Sequence, residues 1–187
     1  MPVEEISAEL REFVFKITIL GDSAVGKTSL INQFVEGSFQ EDYKPTLGAN
    51  IVRKDVNIDA ANAKVRLIMW DLAGQEKYNV IRSMYFEGVA GCILVYDLTR
   101  TMTFQSIKEK WIKDIQNYVR NQGAYILIGN KVDLKDQRVV ETKDGQELAE
   151  NIKASDFIET SAKYGENVEM AFKNLVYQIM RNFGEKI

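Results

Sequence analysis

The chain has 187 residues, of which 45% are apolar, and its 24 basic and 27 acidic side chains give a formal net charge of −3. This length and composition predict one globular domain with a sizeable core, and the lack of a basic excess argues against nucleic acid as a partner. Because the sequence contains no histidine, imidazole metal sites and Ser-His or Cys-His catalysis are excluded.

The cysteine content and the apolar runs bear on the cellular compartment. Cys92 is the single cysteine, so no disulfide can form within the chain, and a reducing, cytoplasmic environment is expected. Its place in the apolar run 91–96 predicts a small buried side chain in a strand. No apolar run approaches the ~20 residues that span a bilayer. Residues 1–12 are predicted to form a short acidic extension and not a signal peptide.

Six short apolar runs, separated by helical or polar stretches, predict the strands of a sheet. The turn at 59–62 joins the second and third runs as a hairpin. The fourth and fifth runs are continuously apolar, as in central strands covered on both faces. The six runs are residues 13–20, 51–58, 63–70, 90–96, 124–128 and 157–158.

Apolar residues at helical spacing predict helices between these strands. A first helix is expected over 27–35, and two later stripes that recur every three or four residues are expected to be core faces. Strands that alternate with helices imply right-handed crossovers, a mostly parallel sheet and helices on both faces, in an α/β domain over 13–183 with a short tail at 184–187. Ligands of such folds bind beyond the carboxyl ends of the strands. The two stripes are Phe104, Ile107, Trp111, Ile115 and Tyr118, and Val168, Phe172, Leu175, Val176, Ile179, Met180 and Phe183.

The segment after the first strand matches the pattern G-x-x-x-x-G-K-[ST] of a phosphate-binding loop. Residues 21–28 read Gly-Asp-Ser-Ala-Val-Gly-Lys-Thr. Such a loop wraps backbone N–H groups around phosphate oxygens, and the positive end of the helix dipole faces the same anion. Lys27 can reach the β- and γ-phosphates, and the Thr28 hydroxyl can bind Mg²⁺. The motif predicts a nucleotide site and does not choose between ATP and GTP.

Two further segments follow later strands and predict which base is bound. Residues 129–133 read Gly-Asn-Lys-Val-Asp, where the Asp133 carboxylate can accept hydrogen bonds from guanine N1–H and its exocyclic amino group. Adenine offers neither donor, so a site of this kind can favour guanine by roughly 10⁴-fold or more. Asn130 can connect this loop to the phosphate loop. Ser161 and Ala162 are small enough for a backbone N–H to approach the guanine carbonyl.

Two loops contain candidate residues around the γ-phosphate. Asp71, near the end of the third strand, can hold Mg²⁺ through a water molecule, and the Gly74 amide can bond a γ-phosphate oxygen. Gln75 has both a donor and an acceptor, which suits it to orient an attacking water. Thr46, in the polar loop before the second strand, is the candidate second protein ligand of Mg²⁺. With these assignments the γ-phosphate tethers two loops, and its loss releases both.

The motifs, in this order, resemble those of the Ras superfamily of small GTPases over nearly the whole chain. Within it, residues 70–76 (Trp-Asp-Leu-Ala-Gly-Gln-Glu) and 159–168 resemble the Rab branch most. The resemblance implies the G domain of the P-loop NTPases, with a six-stranded, mostly parallel sheet whose second strand is an antiparallel edge strand. The five motifs are residues 21–28, Thr46, and residues 71–75, 130–133 and 161–163.

The same resemblance implies GTP or GDP with Mg²⁺ as the ligand and assigns the site residues. Gln75 and Lys27 are expected to be catalytic. Phe39 is expected to stack on the guanine, with the stems of Lys131 and Lys163 beside it. The metal is expected to be held by Thr28 and Thr46 and, through water, by Asp71. The other expected nucleotide contacts are Asp22, Ser23, Ala24, Val25, Gly26, Ser29, Tyr43, Gly74, Asn130, Asp133, Ser161 and Ala162.

The resemblance also implies protein partners and a role in vesicle trafficking or a related signalling process. Effectors, exchange factors and GTPase-activating proteins are expected to contact the loops around 39–51 and 70–86. The hydrophobic triad that Rab effectors read would be Ile51, Trp70 and Tyr85, although the branch usually has an aromatic residue in place of Ile51. The chain ends without the cysteines that prenylated relatives carry, so membrane attachment is unsupported, and a monomer is expected.

Three functions are compared on these residues. A switch with slow intrinsic hydrolysis is favoured, because no arginine lies in 39–46 and an activating protein would have to supply one, worth roughly 10³–10⁵ in rate among GTPases. A nucleotide-locked scaffold is the alternative, since Ser23 could crowd an incoming arginine, although Gln75 argues against it. A P-loop ATPase or nucleoside kinase is opposed by Asn130 and Asp133.

Overall fold

Strands and helices alternate along residues 10–39, 46, 48–72, 85–119 and 123–185, which are those that the computed structural model describes. The strands are β1 (Arg11–Leu20), β2 (Ala49–Ile58), β3 (Ala63–Leu72), β4 (Val89–Asp97), β5 (Ala124–Asn130) and β6 (Phe157–Thr160). The helices are α1 (Lys27–Glu36), α2 (Thr101–Ser106), a π-helical turn (Ile107–Trp111), α3 (Ile112–Tyr118), α4 (Thr142–Ile152) and α5 (Val168–Asn182), with single 3-10 turns at Asp59–Ala61 and Lys135–Gln137.

The strands form one sheet in the order β2-β3-β1-β4-β5-β6. β1 pairs in parallel with β3 and β4, and the remaining neighbours β4, β5 and β6 are also parallel. β2 runs antiparallel to β3, with Ile58 opposite Ala63 across the 3-10 turn. The predicted hairpin and the predicted mostly parallel sheet with an antiparallel second strand at its edge are therefore confirmed.

Both faces of the sheet are buried under helices. Side chains alternate along a strand, so Ile93 and Val95 of β4 belong to one core cluster, whereas Cys92, Leu94 and Tyr96 belong to the other. Cys92 is fully buried in β4, as predicted, and burial raises the pKa of its thiol. The first cluster includes Phe34 of α1 and Phe172, Leu175 and Val176 of α5, and the second includes Ile107, Trp111, Ile112, Ile115 and Leu148.

The strands continue past the apolar runs from which they were predicted. β3, β5 and β6 each end two residues later than predicted, and β4 ends one residue later. Apart from Leu72 and Gly129, the added residues are polar, so the backbone ladder continues past the apolar runs. Asp97, Asn130 and Thr160 pair across β4, β5 and β6 as a result. This brings three polar residues to one level at the carboxyl edge of the sheet.

The buried part of two helical stripes ends earlier than predicted, and one helix was not predicted. Tyr118, the last residue of α3, is 39% exposed, and Phe183, which follows α5, is 53% exposed, so the expectation that both lie in the core was wrong. α4 was missed because its buried face consists mainly of Leu148, Ala149 and Ile152 in a polar segment. Among the described helices, none combines the length and the apolar character needed to cross a membrane.

Candidate nucleotide site

Predicted site residues from several motifs meet at the carboxyl edge of the sheet. Asp71 of β3 pairs with Ile19 near the end of β1, and Asn130 pairs with both Asp97 and Thr160. Because parallel strands end at the same edge, the loops that follow β1, β5 and β6 lie next to one another. The site is therefore assembled from segments that are far apart in sequence.

The phosphate loop, residues 21–26, connects β1 to α1 in a conformation that requires glycine twice. Gly21 and Gly26 have φ angles of +148° and +101°, a region that L-residues with side chains avoid. A Cβ atom on Gly21 would lie 2.2 Å from the Val95 carbonyl oxygen, and one on Gly26 would lie 2.3 Å from Asn130 Nδ2. Ala24, also left-handed with φ +60°, completes the bend.

Lys27, the first residue of α1, lies across this loop. Its Nζ donates hydrogen bonds to the carbonyl oxygens of Gly21 at 2.7 Å and Asp22 at 2.8 Å. Burial lowers the pKa of the Lys27 ammonium to about 8, although Asp71 and Asp22 oppose that shift. A buried ammonium held only by neutral carbonyls and nearby carboxylates is suited to an added anion such as a phosphate.

The lowered pKa of Lys27 predicts how nucleotide affinity depends on pH. A bound phosphate favours the protonated amine, so affinity should be nearly constant well below pH 8 and should fall by about fivefold between pH 8 and pH 9. We expect this fall in titrations of labelled GDP. The stability of the nucleotide-free protein should change with pH in the opposite direction. Because burial disfavours the charged amine, the contribution of Lys27 to stability should increase from about pH 8 up to the ordinary lysine pKa of 10.5. Lower affinity at pH 9 without a lower melting temperature therefore supports this assignment, and a constant affinity contradicts it.

Oxygen atoms of Thr28, Thr46 and Asp71 form a group suited to a hard cation. The Thr28 hydroxyl donates to Asp71 Oδ2 at 2.5 Å and lies 3.0 Å from the Thr46 hydroxyl. Asp71 is 1% exposed, and its Oδ1 has no hydrogen-bond partner among the described residues. Burial raises the pKa of this carboxyl group, against the hydrogen bond from Thr28 and the charge of Lys27. An unpaired buried carboxylate oxygen beside two hydroxyls matches the ligand preference of Mg²⁺, so these residues fit the predicted metal.

Asn130 links the phosphate loop to the two later loops. Its Nδ2 donates to the Val25 carbonyl at 2.9 Å, and its Oδ1 accepts hydrogen bonds from the Thr160 hydroxyl at 3.1 Å and the Ala162 N–H at 3.2 Å. The side chain is 1% exposed. A buried amide with partners on two other segments fixes the relative positions of all three segments. The Ala162 N–H, expected to approach the guanine carbonyl, has this protein partner here.

Asp133 and Ser161 come together beside this link. Ser161 donates from its hydroxyl to Asp133 Oδ1 at 2.6 Å, and the same hydroxyl accepts the N–H of Tyr164 at 3.1 Å. The half-buried carboxylate is thus held in one orientation. The structure brings together two residues from separate motifs that the sequence assigns to the same base.

The structure also describes Lys131, Lys163, Phe39 and Ser29 among the predicted residues. Lys131 has a left-handed backbone with φ +74°. Lys163 places its Nζ 5.7 Å from the centroid of the Tyr164 ring. Phe39 is 36% exposed, and Ser29 lies half-buried in the first turn of α1. Tyr43, Gly74 and Gln75 lie outside the described residues, while Ser23 is exposed and Val25 is buried within the phosphate loop.

Three residues that contact the phosphate loop or the base loop (residues 130–133) were not predicted. Asp97, at the end of β4, forms an ion pair with Lys131 at 2.7 Å. Arg100 donates from Nη2 to the Ser23 carbonyl at 3.0 Å. Trp111 donates from Nε1 to Asp22 Oδ1 at 2.8 Å, from the π-helical turn. A carboxylate at the end of an apolar run, the same signal that identified Asp71, could have identified Asp97.

Two members of the predicted partner triad pack together near the edge of the sheet, and the third lies beside them. Ile51 pairs with Trp70 in the β2–β3 ladder, and the Trp70 and Tyr85 rings have centroids 5.7 Å apart. Ile51 is 47% exposed. The triad is therefore one partly exposed apolar surface.

Comparisons with known proteins identify relatives along most of the chain. A family model described as "Ras family" matches residues 16–181. The Ras-related protein RABA6b of Arabidopsis thaliana is 38% identical over 184 residues, which cover 98% of this chain and 79% of that protein. The Ras-related protein Rab-1 of Theileria annulata is 41% identical over 164 residues, 88% of this chain and 73% of that protein. The Ras-related protein YPTC6 of Chlamydomonas reinhardtii is 36% identical over 176 residues, 94% of this chain and 80% of that protein.

Proposed function

Since the chain belongs to the Ras family and is Rab-like, we propose that it is a guanine-nucleotide switch that binds GTP and GDP with Mg²⁺ and hydrolyses GTP slowly. The observation that carries this proposal is the Asn130 side chain, which hydrogen-bonds Val25 of the phosphate loop and Ala162 of the last loop. One buried amide thereby joins a phosphate-binding half and a base-binding half into a single nucleotide site.

Selection of the base rests on the carboxylate of Asp133. Its orientation by Ser161, at 2.6 Å, presents a fixed acceptor to the two adjacent donors of guanine. Against adenine the same carboxylate would be desolvated without a donor, which is the kind of mismatch that proteins reject strongly. We therefore assign guanine, and neither adenine nor a nucleoside substrate, to this site.

Hydrolysis is proposed to depend on positioning and charge. Lys27 would exchange its hydrogen bonds to loop carbonyls for the β- and γ-phosphate oxygens, where its charge stabilises the transition state. Gln75 is proposed to orient the attacking water. Thr28 and Thr46, with Asp71 through water, would hold Mg²⁺, which neutralises charge that develops on the phosphates.

Signalling is proposed to depend on the loops that contain Thr46 and Gly74. The 3.0 Å approach of the Thr46 and Thr28 hydroxyls brings Thr46 to the metal group. A γ-phosphate that adds contacts to both loops would favour one arrangement, and hydrolysis would remove that preference. Effectors and regulators, in trafficking or a related process, would read these loops together with the apolar surface of Ile51, Trp70 and Tyr85.

The binding proposal has a direct test. The purified full chain is heated, and the released small molecules are separated and identified. We expect GDP or GTP in near-equimolar amount, and mant-GDP should bind to the emptied protein when Mg²⁺ is present. ATP or ADP as the released nucleotide would contradict the assignment of Asp133. A protein that holds no nucleotide and shows no affinity for GTP or GDP would contradict the whole proposal.

Intrinsic hydrolysis is expected to be slow. No arginine lies in residues 39–46, and GTPases that lack an arginine in cis turn over far below 1 s⁻¹ until a partner supplies one, which is worth about 10³–10⁵ in rate. Single-turnover hydrolysis of loaded GTP, followed by phosphate release, measures this rate. Gln75→Leu should lower it further, while binding of GTP stays close to that of the unaltered protein. Turnover above about 1 s⁻¹ without a partner would contradict the expectation, and equal rates for both proteins near zero would favour a nucleotide-locked scaffold.

A further inference from the structure

We propose that Asp97 is a positioning residue that holds the phosphate loop and the base loop together through two cations and thereby slows nucleotide release. This inference rests on the proposed function, since it concerns the same nucleotide site. It goes beyond the five motifs, because Asp97 belongs to none of them and is not expected to touch the nucleotide.

The carboxylate of Asp97 is buried and divides its two oxygens between different tasks. It is 1% exposed at the end of β4. Oδ1 accepts the backbone N–H of Thr99 at 2.9 Å and the Thr99 hydroxyl at 2.7 Å. Oδ2 accepts Arg100 Nε at 2.9 Å and lies 2.7 Å from Lys131 Nζ. Oδ1 contacts Thr99, two residues further along the chain, whereas Oδ2 contacts two cationic side chains. One of these cations belongs to the base loop, and the other contacts the phosphate loop.

Lys131, one of these two cations, belongs to the base loop. Lys131 follows Asn130 and precedes Asp133 by two residues, and its backbone adopts a left-handed conformation with φ +74°. A non-glycine residue in this region carries backbone strain, so a contact that holds it there is needed. The ion pair with Asp97 supplies one, and it also fixes the direction of the Lys131 stem, which the proposed function places beside the guanine.

Arg100, the other cation, contacts the phosphate loop. Arg100 uses Nε for Asp97 and Nη2 for the carbonyl of Ser23. The planar guanidinium thus spans the distance between a buried carboxylate and the exposed bend of the loop, and its rigid donor geometry transmits the position of one to the other. Asp97 therefore acts on the phosphate loop through Arg100 and on the base loop through Lys131.

The surroundings of Asp97 keep its carboxyl group in the charged form. Burial alone raises the pKa of this carboxyl group, but hydrogen bonds from Lys131 and Thr99 outweigh burial, and the net pKa is lowered. The group thus stays ionised at neutral pH, although it is removed from solvent. An asparagine would have nearly the same shape, would keep one acceptor oxygen and would lose the charge that attracts both cations.

The test compares dissociation rates of mant-GDP, chased with excess GDP in the presence of Mg²⁺. Asp97→Asn should raise the dissociation rate by about tenfold or more, which is the size expected when a buried charge-assisted hydrogen bond is lost. Asp55→Asn is the matched control, because Asp55 also holds two cations, Arg66 at 2.8 Å and Lys64 at 3.0 Å, but lies on β2 away from the site. Its rate should stay within about twofold of the unaltered protein.

A double-mutant cycle separates positioning from general destabilisation. Lys131→Met removes the ammonium and keeps an apolar stem, and by itself it should raise the dissociation rate. In that background Asp97→Asn should add no more than about threefold, because one of its two partners is already gone. Equal effects of Asp97→Asn in both backgrounds, or an unchanged rate for Asp97→Asn alone, would overturn the proposal.

Two further outcomes are decided by the same set of proteins. If Asp97→Asn does not fold, the variants Lys131→Met and Arg100→Gln test the proposal instead, because both side chains are partly exposed and their replacement should not prevent folding. Unchanged dissociation rates of mant-GDP from these two variants would overturn the proposal. If the unaltered protein does not bind mant-GDP, the proposed function itself fails. A tight wild-type complex with an unchanged Asp97→Asn rate refutes only the positioning role.

Discussion

Asp133→Asn is expected to lower the affinity for GDP and GTP by roughly 10⁴-fold and to shift the preference towards xanthine nucleotides. The carboxylate accepts two hydrogen bonds from guanine, and an amide can replace only part of this pattern. Xanthine carries a carbonyl oxygen where guanine carries the amino group, so it can accept a hydrogen bond from the new amide. Ser161, whose hydroxyl lies 2.6 Å from Asp133 Oδ1, should hold the asparagine in a similar orientation.

Competition against mant-GDP, with GDP and XDP as competitors, measures this shift. Asp136→Asn is the matched control, since Asp136 is an exposed carboxylate in the 3-10 turn at Lys135–Gln137 that follows directly. The control should bind GDP as the unaltered protein does and should not bind XDP. An unchanged affinity of Asp133→Asn for GDP would remove Asp133 from the site.

The parts of the site that could be predicted are those in which one short segment carries the whole signal. The phosphate loop is recognisable because two glycines and Lys27 occur at fixed spacing after an apolar strand. Asn130 and Asp133 are recognisable for the same reason. In each case the side chain acts within a few residues of a strand end, and strand ends could be located to within about two residues.

The parts that could not be predicted depend on contacts between distant segments. Asp97 terminates an apolar run, but its partner Lys131 is 34 positions away, and only the pairing of β4 with β5 brings them together. Trp111 reaches Asp22 from a π-helical turn at Ile107–Trp111. Such a turn inserts one residue into the helical repeat, is rare and often occurs at functional sites. The apolar stripe from Phe104 to Tyr118 contains no sign of this turn.

The errors at the helix ends have a local cause. A stripe of apolar residues continues through Tyr118 and Phe183, yet both rings lie at the surface. Each packs on a buried aromatic ring at the margin of the core, with Tyr118 against Phe86 and Phe183 against Phe15. Periodicity reports which side of a helix a residue occupies, but it does not report where the neighbouring element stops. Core membership at an element's end is therefore set by tertiary packing.

Gly26→Ala is expected to weaken nucleotide binding by about 10²–10³-fold, because a single methyl group would disturb both halves of the site. Its Cβ would lie 2.3 Å from Asn130 Nδ2, the atom that holds the Val25 carbonyl. Displacement of a well-packed group costs about 1–3 kcal/mol, and the φ of +101° adds about 1–2 kcal/mol of backbone strain for alanine. Since 1.4 kcal/mol corresponds to a factor of ten, the combined cost of about 2–5 kcal/mol has this range at its centre.

Gly37→Ala separates the two costs. Gly37 ends α1 with φ +64°, and a Cβ there would meet nothing within 4 Å, so this variant carries backbone strain without a collision. We expect it to lower the melting temperature by a few degrees and to bind mant-GDP within about threefold of the unaltered protein, because the strain is outside the site. Titrations of both variants measure the difference. If Gly26→Ala binds as tightly as Gly37→Ala, the close approach of Asn130 to the phosphate loop does not govern nucleotide affinity, and the link between the two halves of the site is not what holds the ligand.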